Sequence, residues 1–188
     1  MEIVGHLDEG RRLIESAAER IDLARPNLEA AVRAQRASSY ETALRYLEIG
    51  EELLPEDRFD SHYALAMALA TERQQCAYLT ARYPEAEAGT EALLARAHTD
   101  LEKAEILSTR TRQYATIGKM AASIEAAIAG LRLLGVPMTE DPDREAIDGE
   151  LRAVEENLGG RAIAALIDAP VLRDPADTVA IRLLMEIF

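Results

Sequence analysis

Apolar positions along this chain recur three and four residues apart and do not alternate. That is the spacing of helices that each bury one face, and no segment reads as a strand. The clearest case is 39–54, where Tyr40, Ala43, Leu44, Leu47, Gly50 and Leu54 share a face. The pattern predicts helices over 2–15, 17–37, 39–54, 56–80, 84–97, 98–117, 120–134, 143–157, 160–168 and 175–187. Most of the seven prolines stand where a helix would start or stop. Pro26 is the exception, and a kink or restart is expected there. Ser38-Ser39-Tyr40-Glu41 has the spacing of a capping box. Gly118 separates two helices, Gly135 with Pro137 stops the second, and Asp174-Pro175 opens the last. MTEDPD, near 140, is the most loop-like stretch.

Three of these helices superimpose. ASSYETALRYLEIG from Ala37, ARYPEAEAGTEALL from Ala81 and GKMAASIEAAIAGL from Gly118 share one plan. A small residue is followed two positions on by a larger one (Ser39 or Tyr40, Tyr83, Met120), and a small one follows three further on (Ala43, Ala86, Ser123). A later small residue recurs at Gly50 and Gly130, with Leu93 in its place in the middle copy. The copies lie 43 and 37 residues apart, longer than the tetratricopeptide unit of about 34 residues. A small residue early in the second helix of a hairpin lets it pack closely on the first. Each hairpin then leaves an apolar face for its neighbour. The expected fold is all-α, a right-handed stack of antiparallel helix hairpins of tetratricopeptide-like α-solenoid type. Residues 1–136 would form about three hairpins with an N-terminal helix, and 137–188 further helices continuing or capping the stack.

The stretches YETALRYLEIGEELL, YPEAEAGTEALLARA, YATIGKMAASIEAAIAGLRLLGVPM and GGRAIAALIDAPVLRDP resemble the tetratricopeptide-like helical segment of large bacterial signalling proteins. Those proteins join a protein-kinase-like domain, a P-loop ATPase domain, this segment, and often sensor and histidine-kinase domains. The resemblance covers nearly the whole chain, and LRLLGVPM and DAPVLRDP are its most specific landmarks. It implies a regulatory, domain-linking or partner-binding role, with no catalytic residue in this segment.

Composition agrees with helices. Hydrophobic residues are 48% of the 188, aromatics 4%, and Trp is absent; the Ala and Leu that dominate lose little side-chain freedom in a helix. The net charge of −13 argues against nucleic acid and against an anionic membrane. The single cysteine, Cys76, forms no intramolecular disulfide and reads as a small buried hydrophobe. The N-terminus lacks a long apolar run and no segment approaches a membrane span, so a cytoplasmic protein is expected.

No phosphate-binding loop or kinase element is present. His6, His62 and His98 are scattered, without ligand spacing, and Gly159-Gly160-Arg161 reads as a helix stop and restart. No catalytic, metal or cofactor residue is expected. Projecting the repeat onto the first helix of each hairpin places Arg25, Leu28, Val32 and Gln35, then Thr71, Gln75 and Tyr78, then Glu105, Ser108 and Arg112 on a concave face. Leu28 and Val32 stand where chaperone-binding relatives of this repeat carry a Lys and an Asn for a terminal carboxylate. That leaves Arg25, Gln75, Tyr78 and Arg112 as the candidate groove contacts, and Tyr40, Ala43, Tyr83, Ala86, Gly118 and Ser123 as the repeat-packing set. The last helix, DTVAIRLLMEIF, is strongly apolar. It is expected to be covered by a further helix, or else to fold back on the stack or form a homodimer. The first functional expectation is a non-catalytic protein-interaction and domain-coupling module of a signalling ATPase or kinase. The second is a self-standing adaptor holding a peptide in its groove, and the third an all-α enzyme or small-ligand bundle.

Overall fold

The computed structural model describes residues 14, 16–138 and 142–187. The expected helix over 2–15, with His6, lies almost wholly outside them. Every regular element described is helical: α1 (Ala17–Arg36), α2 (Tyr40–Leu53), α3 (Arg58–Ser61), α4 (Tyr63–Leu79), α5 (Tyr83–Arg96), α6 (Asp100–Thr116), α7 (Met120–Leu133), α8 (Arg144–Leu158), a 3₁₀ turn (Ile163–Asp168) and α9 (Pro175–Ile187). The chain divides into two compact units, residues 1–98 and 99–188. The first holds the hairpins α1–α2 and α4–α5, the second the hairpin α6–α7 with α8 and α9.

The three hairpins turn in the same way. Each first helix ends on a left-handed residue: Ser38 (φ 57°), Ala81 (φ 59°) and Gly118 (φ 77°). The residue after it donates its N–H back to the helix, Ser39 to Ala34, Arg82 to Ala77 and Lys119 to Tyr114, at 2.8–2.9 Å. This is a Schellman turn, which satisfies helix-end carbonyls that would otherwise be orphaned. Counted from the left-handed residue, the seam between the two helices repeats. Ala31, Gln74 and Thr111 are buried on the first helix, and Ala43, Ala86 and Ser123 on the second. Where two seams turn polar, the polar groups bond within them: Gln74 Nε2 donates to Thr90 Oγ1 at 3.0 Å, and Ser123 Oγ to the Thr111 carbonyl at 2.9 Å.

Those turns correct the expected capping box. Ser38 is left-handed and Ser39 makes no side-chain cap bond; the backbone N–H of Ser39 closes the Schellman turn on the Ala34 carbonyl. The capping box of this chain is instead Thr99 with Glu102 at the start of α6: Glu102 N–H to Thr99 Oγ1 at 3.1 Å and Thr99 N–H to Glu102 Oε2 at 3.0 Å. Nor does α1 restart at Pro26. It runs through, and Asn27 Nδ2 donates to the Leu23 carbonyl at 3.0 Å. The expected helix 56–80 is broken at His62 (φ −136°, ψ 41°), which sets α3 apart from α4.

Within the first unit α4 packs on both α1 and α2. Leu69 of α4, fully buried, lies where Gly50 of α2 has no side chain; a Cβ on Gly50 would stand 2.8 Å from Leu69 Cδ2. The second unit repeats the device. Here α9 packs on both α6 and α7, and a Cβ on Gly130 would stand 2.8 Å from Leu183 Cδ1. Val179, Ala180 and Leu183 of α9 match Leu65, Ala66 and Leu69 of α4 in spacing and burial. On its own hairpin, then, α9 takes the place that α4 takes on the first, and its apolar side folds back. Ile181 and Met185 remain exposed. Helix α8 forms where its pattern places it, yet no residue of it is buried, and Ile147, Leu151 and Val154 face outward. The expected helix 160–168 is a 3₁₀ turn that buries no residue.

Candidate functional site

The concavity that stands out in the first unit is a cleft of about 390 Å³ between the second helices α2 and α5, floored by α4 and closed at one end by α3. Its walls follow from helical spacing. Leu44, Glu48 and Glu51 of α2 fall on one stripe, as do Glu85, Ala88, Gly89, Ala92 and Arg96 of α5. The α5 stripe is largely small residues, so its backbone lies close: a Cβ on Gly89 would meet Gln74 Cγ at 3.2 Å. Ala70 and Ala77 keep the floor shallow.

The rim is charged. Arg58, Arg73, Arg82 and Arg96 stand among Glu48, Glu51 and Glu85. Arg73 Nη1 donates to Glu51 Oε2 at 2.9 Å, and Arg82 Nη2 donates to both carboxylate oxygens of Glu41 at 3.0 and 2.9 Å. The other two arginines share an aromatic ring. The guanidinium carbon of Arg96 lies 4.4 Å, and that of Arg58 5.3 Å, from the centre of Phe59. Arg96 also donates from Nη1 to the Ala92 carbonyl of its own helix at 3.0 Å. Among the described residues neither arginine is paired with a carboxylate. The cleft presents cation, aromatic face and small apolar wall together.

The residues picked from sequence lie elsewhere. Arg25 is exposed on α1. Gln75 and Tyr78 are half-buried on α4, and the Tyr78 ring leans on Tyr83 with centroids 5.8 Å apart. Gln35 is spent on packing: its Nε2 donates to Cys76 Sγ at 3.0 Å and to the Glu72 carbonyl at 3.2 Å. Cys76 is fully buried, and burial pushes its thiol pKa up. Tyr40 is half-buried and Tyr83 and Gly118 are exposed, whereas Ala43, Ala86 and Ser123 sit inside the seams. His98 stacks on Tyr63 with ring centroids 3.8 Å apart, and among the described residues no group of three or more His, Cys, Asp or Glu is placed to hold a metal ion. No helix among them is long and apolar enough to cross a membrane.

Arg112, in the second unit, pairs with Glu186 of α9 at 3.7 Å, and Ser108 Oγ donates to the same carboxylate at 3.3 Å. Burial pushes the Glu186 pKa above the usual carboxylate value, against the pull of Arg112, Ser108 and Arg182. A carboxyl raised on folding favours the fold below its unfolded pKa and loses that contribution as pH rises through the folded one. Glu186→Gln removes this dependence. In thermal melts at pH 4 and pH 7, the wild type is expected to lose ground against the variant at the higher pH. An unchanged difference between the two pH values would contradict it.

No family model and no solved structure matches the chain. One curated protein, described as hybrid signal transduction histidine kinase G of Dictyostelium discoideum, is 23% identical over 176 residues. That alignment takes in 89% of this chain and 5% of the kinase. The chain thus spans about a twentieth of the curated relative it matches.

Proposed function

We propose that this chain is a tetratricopeptide-like protein-interaction and domain-coupling module of a larger signalling protein, and that it carries no catalysis of its own. The observation that supports this best is the repeated hairpin. Three hairpins share one turn and one seam, and the Gly50–Leu69 contact recurs as Gly130–Leu183. A chain that repeats its packing device in this way builds surface for holding partners. The alignment to a small part of a signal transduction histidine kinase supports a signalling setting. The charged cleft of the first unit favours, as a second reading, a self-standing adaptor that binds a peptide.

The reading frame on either side of these residues separates the two. Kinase-like or P-loop ATPase motifs in the flanks are expected for the coupling module. A frame without any such domain overturns it in favour of the adaptor. Cross-linking mass spectrometry on the full-length product should then join this segment to a flanking domain, and a full-length protein whose cross-links all stay within residues 1–188 would count against coupling.

A further inference from the structure

We infer that the cleft between α2 and α5 binds a short acidic peptide in extended form, with a carboxylate received by Arg58 and Arg96 at the Phe59 end; the inference rests on the protein-interaction reading above. Charge carries it. The chain is strongly acidic, at −13, yet this cleft gathers four arginines against three glutamates, Glu48, Glu51 and Glu85. Two are engaged by Glu41 and Glu51. Arg58 and Arg96 are held instead against one ring, with no carboxylate on either among the described residues. A guanidinium on an aromatic face is oriented in advance and keeps in-plane N–H groups for an acceptor. Arg96 commits one nitrogen to Ala92, and the fork has five donors in all. A carboxylate accepting from such a fork makes the stronger, charge-assisted kind of hydrogen bond.

Shape and field define the rest of the ligand. From Glu85 to Arg96 the α5 wall runs about 16 Å at the helical rise, the length of about five extended residues. Ala88, Gly89 and Ala92 let a chain lie close to the helix, which favours small or aliphatic neighbours to the acid. The overall negative field opposes polyanions, so one or two carboxylates fit better than a polyphosphate or a nucleic acid.

The test uses the full chain and fluorescein-labelled pentapeptide pools of Ala, Val and Leu with Asp or Glu fixed at one position, followed by fluorescence anisotropy. Pools with Asn or Gln at that position are the control. The acidic pools are expected to bind at least about tenfold more tightly, the advantage shrinking as NaCl rises. Arg96→Glu and Arg58→Glu should each remove most of it. Ala92→Leu, which fills the wall at an exposed position, should weaken every pool, while Arg36→Glu, exposed on α1 and outside the cleft, should leave binding unchanged. Circular dichroism melts check that each variant is folded. Equal binding of acid and amide pools, or binding that survives Arg58→Glu with Arg96→Glu, overturns the inference. If no pool binds while the full-length protein still cross-links to a flanking domain, the cleft assignment falls and the coupling reading stands; if both fail, both fall.

Discussion

Leu69→Ala is expected to destabilise the first unit by about 2–5 kcal/mol, the range for truncating a fully buried leucine. The upper part of that range applies, because of what lies opposite. Leu69 fills the space left by the missing side chain of Gly50, with the Asn27 Cβ also close to that point. Shortening Leu69 leaves a void that Gly50 has no side chain to fill. Gly50→Ala alone places a Cβ 2.8 Å from Leu69 Cδ2. The crowding costs about 1–3 kcal/mol, offset by up to about 1 kcal/mol from the better helix former. Together the two changes are expected to compensate, with a coupling of about 0.5–3 kcal/mol. Cys76 supplies the readout. It is the one cysteine of the chain, fully buried on α4, and its thiol pKa is raised by burial. Labelling of it therefore follows opening of the first unit. Where reclosing is fast, a loss of 2 kcal/mol raises the labelling rate about 30-fold. Effects of the single changes that simply add would show that Gly50 and Leu69 do not act as a pair.

Much of the helical content was legible because Ala and Leu at helical spacing leave few alternatives, and because the prolines and Gly118 punctuate it. The turns were less so. Three hairpins use a left-handed residue, but only Gly118 advertises it; Ser38 and Ala81 take the same conformation without glycine. Ser38-Ser39 therefore reads as a cap from its spacing, whereas the capping box forms at Thr99 and Glu102. The break at His62 has no proline or glycine to announce it. In α8 the apolar stripe of Ile147, Leu151 and Val154 marked a helix, yet periodicity says which side is apolar and not whether anything covers it. The cleft was invisible for a different reason. Arg58 adjoins Phe59, but Arg96 is far from both in sequence, and only the packing of α4 between α2 and α5 brings it to that ring. The projected first-helix groove also could not show that Gln35 would be consumed by Cys76. Resemblance reached the signalling setting that the kinase alignment supports, though the residues alone did not.

Leu183→Ala is the corresponding change in the second unit, and its expected effect differs in kind. Helix α9 has 13 residues, a length at which an isolated helix is marginal in water. Its hold on α6 and α7 comes from its own face: Val179, Ala180 and Leu183 are its buried residues. The preceding stretch from α8 through the 3₁₀ turn adds no buried residue. Leu183 is the largest of the three, fully buried, and lies over Gly130 beside the Leu107 Cβ. Removing it is expected to cost about 2–5 kcal/mol, enough to release α9 while α6 and α7 keep their own seam. Hydrogen–deuterium exchange resolved by mass spectrometry should show the amides of 175–187 exchanging at least about tenfold faster, with a smaller change in α6 and α7. The Glu186 contacts to Ser108 and Arg112 would loosen with the helix, so the pH dependence assigned to Glu186 should fade in the same variant. If α9 stays as protected as before, Leu183 does not do on the second unit what Leu69 does on the first. The repeat relation between the two units would then reduce to their shared turns.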